Sequence, residues 1–429
     1  MLIHVVTRGE LTRGNIWLTL AQRYRVNLEE LIQINDLPDP DRLVIGQAIL
    51  VPTPYVHIVQ PGDTLWSLAQ HYQTTVDAIA KENQIADPSL IYPGQILHLP
   101  RPPIEVNGYL MSMGQQGQKI VQELGGALTY VTNFSYEVQP DGSLKNIDDE
   151  PVITEARRQG VLPLMCITNT VEGRFDSNIA RDVLNNEGVQ NHLIDNVMER
   201  LRTKGYGGLN VNFEYVYPDD RLAYNQFLQR LSKRISPDGF MLSTAIAPKV
   251  RADQPGLLYE AHDYPVHGEF NDFTVVMTYE WGWSGGPPWA IAPLTEVRKV
   301  LDYAVTAIPN QKILMGVPTY GRDWPLPYVS GETRATTINY RGALQRAIRY
   351  GAEISYHPEY QAPYFRYTDE EGKEHEVWYE DARSIAAKLE TVKQYGLRGV
   401  SYWQITIPFK QNWALLQSRF TIIKRLKTE

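Results

Sequence analysis

The stretch Tyr206-Gly207-Gly208-Leu209-Asn210-Val211-Asn212-Phe213-Glu214-Tyr215-Val216 carries the decision about the fold. Side chains along a strand point alternately to its two faces, so Leu209, Val211 and Phe213 share one face while Asn210, Asn212 and Glu214 share the other. In a closed parallel barrel the apolar set packs outward against helices, and the polar set lines the interior and climbs to Glu214 at the C-terminal mouth. Barrel enzymes hold their chemistry there. A carboxyl enclosed at that mouth is pushed above its ordinary pKa by desolvation and, once protonated, can donate to a leaving-group oxygen.

Working outward, apolar strand-like runs fall at 105–110, 130–136, 162–167, 209–213, 241–247, 273–278, 313–317 and 399–403. Amphipathic helical patterns fill the gaps, for instance at 189–204, 221–235 and 294–306. Eight strands alternating with helices predict an α/β fold, a (β/α)8 TIM barrel over 106–429. The connection before the last strand is too long to be a bare loop. Its strand-like pieces at 364–368 and 376–379 predict a small α+β insertion over about 322–392.

Upstream the chain repeats itself. Ala69-Gln70-His71-Tyr72 matches Ala21-Gln22-Arg23-Tyr24, and the same offset aligns Asn83 with Asn35, Gly94-Gln95 with Gly46-Gln47 and Pro100 with Pro52. His57-Ile58-Val59 matches His4-Val5-Val6 at an offset five residues longer, so the first copy carries an insertion around Leu11 to Asn15, expected in a loop. Each copy reads strand, helix, helix, strand, which predicts βααβ modules over 1–52 and 55–100. Leu99-Pro100-Arg101-Pro102-Pro103-Ile104 is stiff and poor in donors, and residues 101–105 read as a Pro-rich linker.

Composition narrows the function. With 41 Lys+Arg against 49 Asp+Glu the net charge is −8, and no basic cluster exists to hold a phosphate backbone, so no nucleic-acid partner is expected. No long apolar run predicts membrane insertion, and Arg8 and Glu10 interrupt the N-terminus before a secretion signal can form. The single cysteine, Cys166, excludes an internal disulfide and reads as a buried small hydrophobe. The spacing of His262 and His267 is not that of a helical two-histidine site, and neither metal nor cofactor is expected. The 26 Tyr and 9 Trp favour stacking on flat, hydroxyl-rich ligands.

Two resemblances sharpen this. His57-Ile58-Val59-Gln60-Pro61-Gly62-Asp63-Thr64-Leu65-Trp66, followed by Asn83 and Tyr92-Pro93-Gly94-Gln95, resembles the LysM domain, which binds N-acetylglucosamine-containing glycans. The first copy departs from that pattern at Thr7-Arg8-Gly9-Glu10. The resemblance implies sugar contacts from Gly62, Asp63, Thr64 and Leu65 and from Ile91 and Tyr92. The strand at 207–214 resembles the glycoside hydrolase family 18 signature Asp-Gly-x-Asp-x-Asp-x-Glu, with Glu214 in the place of the catalytic acid. Met277-Thr278-Tyr279-Glu280, Gly316-Val317-Pro318-Thr319-Tyr320-Gly321 and Ser401-Tyr402-Trp403 resemble that family's sixth, seventh and eighth strand ends. Gly207, Asn210 and Asn212 stand where the family carries aspartates, so the acid is kept and its carboxylate neighbours are not.

The resemblance implies substrate-assisted hydrolysis, to which the two-carboxylate scheme does not apply. Glu214 would be acid and then base, Asn212 would orient the acetamido N–H, Tyr279 would donate to the acetamido oxygen, and Trp403 would stack under the sugar. Asn210, Glu280, Trp281, Trp283 and Trp289 are the further expected substrate contacts. Two such modules ahead of this barrel resemble the spore cortex-lytic N-acetylglucosaminidases of spore-forming bacteria. That implies a retaining β-N-acetylglucosaminidase acting on spore cortex peptidoglycan or its fragments during germination, built without a signal peptide into the spore coat or cortex surface; a monomer is expected. A chitinase or chito-oligosaccharide hydrolase is the alternative of the same class, and a catalytically silent glycan-binding lectin the alternative of another.

Overall fold

The computed structural model describes residues 1–11, 15–72 and 74–426. Eight parallel strands, Pro103–Leu110, Tyr130–Glu137, Leu162–Thr168, Gly208–Asn212, Met241–Ile246, Phe273–Val276, Ile313–Pro318 and Gly399–Trp403, pair in chain order. The last pairs with the first, Gly399 opposite Glu105, and closes the barrel. The helices Glu187–Lys204, Arg221–Ile235 and Leu294–Ala307 start and stop within two residues of the sequence reading. Their apolar stripes, such as Leu193, Val197 and Leu201, are buried against the outward-facing Leu209, Val211 and Phe213.

The barrel interior is polar and internally paired. Thr132 Oγ1 donates to Asn107 Oδ1 at 2.8 Å, Asn107 Nδ2 to Ser401 Oγ at 2.9 Å, and Asn210 Nδ2 to Ser243 Oγ at 3.0 Å. Buried polar groups are tolerable only when so satisfied, and these layers hold up the residues of the mouth.

Two boundaries differ from the sequence reading. Residues 103–105, read as linker, are the start of the first barrel strand, with Ile104 and Glu105 buried and Glu105 paired to Arg398 and Arg425. Proline stiffness marks a break equally well when the break is a strand start. The inserted sheet has five antiparallel strands in the order Thr336–Ile338, Gly321–Pro325, Glu374–Trp378, Ala362–Thr368 and Ser355–His357, with the helix Tyr340–Tyr350 beside it. The helix Ala382–Gln394, read as mostly within the insertion, packs on the last barrel strand and on the helix Lys410–Arg419. An amphipathic helix reads the same whichever sheet it covers.

The first module comprises Leu2–Val5, Ile16–Tyr24, Leu28–Asn35 and Ala48–Val51, and the second Val56–Ile58, Leu65–His71, Val76–Glu82 and Ile96–His98. Their helices open on side-chain caps: Asn15 and Asn27 in the first, Thr64 and Thr75 in the second. The extra segment of the first copy is not simply a loop, since Leu11 ends a helical turn, Arg8–Leu11, and Asn15 caps the next helix. Residues 12–14 lie outside the described residues. The apolar side chains of the first module run continuously into the barrel core, whereas Val59, Leu65, Leu68, Ile79 and Leu97 of the second form a separate small core. Among the described residues no helix is long and apolar enough to cross a membrane.

Candidate active site

The mouth of the barrel opens into a cleft of about 500 Å³ whose lining includes Tyr109, Asn212, Glu214, Tyr279, Trp281 and Trp403. Glu214 lies two residues beyond the end of the fourth strand and continues its alternation, which turns its carboxyl to the cleft. Burial raises its pKa to about 7; a hydrogen bond from Asn212 pulls the other way, and the Glu280 charge adds to the rise. A carboxyl poised there carries a proton at neutral pH and can give it up, which is what a general acid requires.

Asn212 is 3% exposed, and with its amide turned to Glu214 its Oδ1 is buried with no hydrogen-bond partner among the described residues. An orphaned acceptor of this kind costs folding energy and is open to a donor from the cleft. Tyr279 is nearly buried on the facing wall, and enclosure pushes its phenol well above the ordinary value, so it remains a donor. Trp403 lies edge-on to Phe134 at 4.9 Å and Tyr109 at 5.4 Å, which fixes the plane of its indole at the floor.

Not every expected contact reaches the cleft. Asn210, expected to touch substrate, is fully buried one layer below: its Oδ1 accepts from Tyr109 Oη at 3.0 Å and its Nδ2 is spent on Ser243. It supports the floor rather than forming it. Trp289 packs against Tyr360 of the insertion at 5.8 Å and is absent from the lining. Trp281 and Trp283 do line the cleft. The Trp283 ring lies over Gly285 and Gly286, where a Cβ would come within 2.4 and 2.5 Å of the indole, and it remains 51% exposed. Two absent side chains thus let a tryptophan lie flat with one face open. Glu280, in a left-handed backbone conformation at φ +71, accepts from Tyr320 and from Arg322 Nη2, the latter at 2.9 Å.

These observations meet the comparisons with known proteins. The model of glycosyl hydrolases family 18 matches residues 108–407, and the LysM model matches 12–52 and 57–100. The chain belongs to glycoside hydrolase family 18. It is 44% identical to the cortical fragment-lytic enzyme of Bacillus subtilis (strain 168), with 99% of each chain covered. Among solved structures it resembles the spore cortex-lytic enzyme SleL of Bacillus cereus, at 38% identity and TM-score 0.86, and that of Bacillus megaterium QM B1551, at 37% and 0.85; each likeness covers 99% of both chains. This member of the family is therefore a glycoside hydrolase, and its barrel and modules bind N-acetylglucosamine-containing glycan.

In the second LysM domain the expected contacts divide by exposure. Gly62 sits at φ +95 in open space, Tyr92 is 64% exposed, and Ile91 is half-buried. Asp63 is occupied in bonds to His57 Nε2 at 2.7 Å and the Gln60 N–H at 2.6 Å, and the exposed Thr64 forms a capping box with Ser67. Leu65 is buried in the module core. Not named as contacts from the sequence were Trp66, the module's single tryptophan, which is 67% exposed, and Tyr109, which faces inward near the end of the first strand. Strand alternation in 105–110 was the signal that would have found Tyr109.

Proposed function

We propose that the protein is a retaining, substrate-assisted β-N-acetylglucosaminidase acting on spore cortex peptidoglycan or its fragments during germination. The observation that carries this reading is the unpartnered, buried Asn212 Oδ1 beside a carboxyl that holds its proton near neutrality. An N-acetylglucosamine seated over Trp403 would offer its acetamido N–H to that oxygen, and Tyr279 would donate to the acetamido carbonyl. The acetamido oxygen then attacks the anomeric carbon as Glu214 delivers its proton to the departing glycosidic oxygen. The product is an oxazolinium ion, and Glu214, now a carboxylate, takes a proton from the water that opens it with net retention. Trp281 and the open face of Trp283 extend the apolar floor for further sugars of the strand.

The cortex assignment is supported by the similarity, over nearly the whole chain, to enzymes named for cortex lysis, and it carries a spore-associated location with it. Mass spectrometry of fragments released from purified cortex tests it, and new reducing N-acetylglucosamine ends are expected. Preferential cutting of chitin oligomers would replace the substrate, and binding without cleavage would replace the catalytic reading.

A further inference from the structure

The backbone carrying Glu214 leaves the sheet after Asn212, and the next three carbonyls run beyond the strand. Each is taken by a side chain, two from the segment after the third strand and one from the segment after the fifth. His262 Nε2 donates to the Phe213 carbonyl at 3.0 Å, Asn169 Nδ2 to the Glu214 carbonyl at 2.8 Å, and Ser177 Oγ to the Tyr215 carbonyl. The Glu214 N–H is held as well, by Asn169 Oδ1 at 2.9 Å. One amide therefore grips both sides of one residue, the pairing that a neighbouring strand would otherwise supply.

The grip is itself anchored. Asn169 is fully buried, its Nδ2 also reaches the Asp176 carbonyl at 3.0 Å, and its own carbonyl accepts the Asp176 N–H at 2.8 Å. His262 Nδ1 accepts from the Ala247 N–H at 2.9 Å, which leaves its proton on Nε2 for Phe213. Tyr215, immediately after the carboxyl, is held at φ +54, a conformation a non-glycine residue keeps only when its surroundings impose it.

We propose that Asn169 is a positioning residue for Glu214, keeping the carboxyl seated beside Asn212 at the cleft floor rather than turned towards water, with Ser177 and His262 bracing the residues on either side. The inference rests on Glu214 being the general acid. Displacing a reacting group by about 1 Å costs on the order of 10²-fold in rate, so the grip matters for turnover. It matters also for the proton. The ionisable groups within electrostatic reach of the Glu214 carboxyl are Tyr109, Cys166, Tyr215, Tyr224, Tyr279 and Glu280, and only Glu280 acts appreciably on it through its charge. Enclosure, which depends on position, does most of the work of keeping it protonated.

Asn169→Ala removes both bonds. It is expected to lower kcat by about 10-fold to 10²-fold with KM changed less than about twofold, and to move the basic limb of kcat/KM to lower pH. Asn169→Asp keeps the acceptor and loses the donor, so its turnover should fall between. If Asn169→Ala fails to fold in thermal melts, the half-buried Ser177→Ala removes one brace and should shift the limb in the same direction by less. Carbon-13 NMR of the Glu214 carboxyl, assigned with Glu214→Gln, reads its titration midpoint in the ligand-free protein without reference to turnover. A lower midpoint in the variants sustains the positioning role even where no hydrolysis is found, a result that would instead sink the hydrolase reading. An unmoved midpoint and basic limb, whatever the loss of rate, would overturn the positioning role.

Discussion

In the proposed role Glu214 donates a proton from a place that disfavours its anion, and the same burial would set both its activity and its cost. Its folded pKa, about 7, stands above the ordinary carboxylate value, so the unfolded chain ionises first as pH rises. Stability is therefore unaffected below about pH 4, declines between there and pH 7, and carries the full penalty, up to about 3 kcal/mol, above it. Glu214→Gln should reduce hydrolysis about 10²-fold or more while raising the melting temperature at pH 8 and leaving it unchanged at pH 4. Near-normal turnover, or a melting temperature independent of the substitution at pH 8, would contradict this. Asn212 is the complementary case. Its amide offers a dipole where an Asp would offer charge to the acetamido nitrogen as that atom becomes positive, and an Asp would also repel the Glu214 anion and so favour its protonated form. Asn212→Asp is expected to speed single-turnover cleavage of a chromogenic N-acetylglucosaminide by about 10-fold to 10³-fold. Equal or slower cleavage by a variant as stable as the parent would show that the site does not use position 212 in this way.

The segment after the sixth strand shows how a loop is turned into a rigid surface. Gly285 and Gly286 leave room for the Trp283 indole, and the insertion pins them: Trp324 Nε1 donates to the Gly286 carbonyl at 2.9 Å and Tyr328 Oη to the Gly285 carbonyl at 3.0 Å. A methyl group at 286 would meet Trp283 at 2.5 Å and lift the ring from its bed. Loss of one aromatic platform is worth about 0.5–1.5 kcal/mol, so Gly286→Ala should raise KM for long glycans by roughly 2-fold to 10-fold. Cleavage of a single-sugar aryl glycoside should be untouched, because Trp403 and Glu214 are not involved. Steady-state kinetics on the two substrates separate these effects, and an equal change in both would place Trp283 elsewhere in the reaction. The three tryptophans of this loop, all expected as substrate contacts, divide. Trp281 and Trp283 face the cleft while Trp289 faces the insertion, since a loop has no periodicity from which to read direction.

The two modules, alike in sequence, are joined to the barrel in different ways. In the first, Gln411 Nε2 from the last barrel helix donates to Asn35 Oδ1 at 2.7 Å and to the Ala48 carbonyl at 3.1 Å, and Asp36 pairs with Arg341 at 2.9 Å. Gly46 lies so close to the insertion that a Cβ would fall 1.8 Å from the Ile354 carbonyl oxygen. Its core is the barrel's core, and the second module's is its own. Gln411→Ala leaves buried groups short of a partner and should destabilise the catalytic unit by about 1–3 kcal/mol, lowering the temperature at which turnover is lost. Leu97→Ala, in the small core, should open the second module alone, at a cost of about 2–5 kcal/mol. Hydrolysis of soluble fragments would then continue while retention on insoluble peptidoglycan fell, because tethering raises effective concentration without touching the reaction centre. Calorimetry alongside pull-down assays checks both, and loss of soluble turnover in Leu97→Ala would show that the modules form one cooperative unit.

Periodicity carried most of the fold. The strand at 208–212, the seven others and the capped helices were legible because apolar side chains must alternate in a strand and recur each turn in a helix, wherever the element finally packs. The place of Glu214 was legible too, since the strand's alternation and the barrel's polarity put it at the mouth. What periodicity does not encode is the distance between elements remote in the chain. That Asn210 is spent on Tyr109 and Ser243, that Asn169 and His262 hold the backbone around Glu214, and that one copy of a repeat shares the barrel's core while the other keeps its own follow from contacts across 33 to 376 residues. Such contacts arise when the barrel closes and brings unrelated strand ends together, and burial then decides which polar atoms are satisfied and which are left for the substrate.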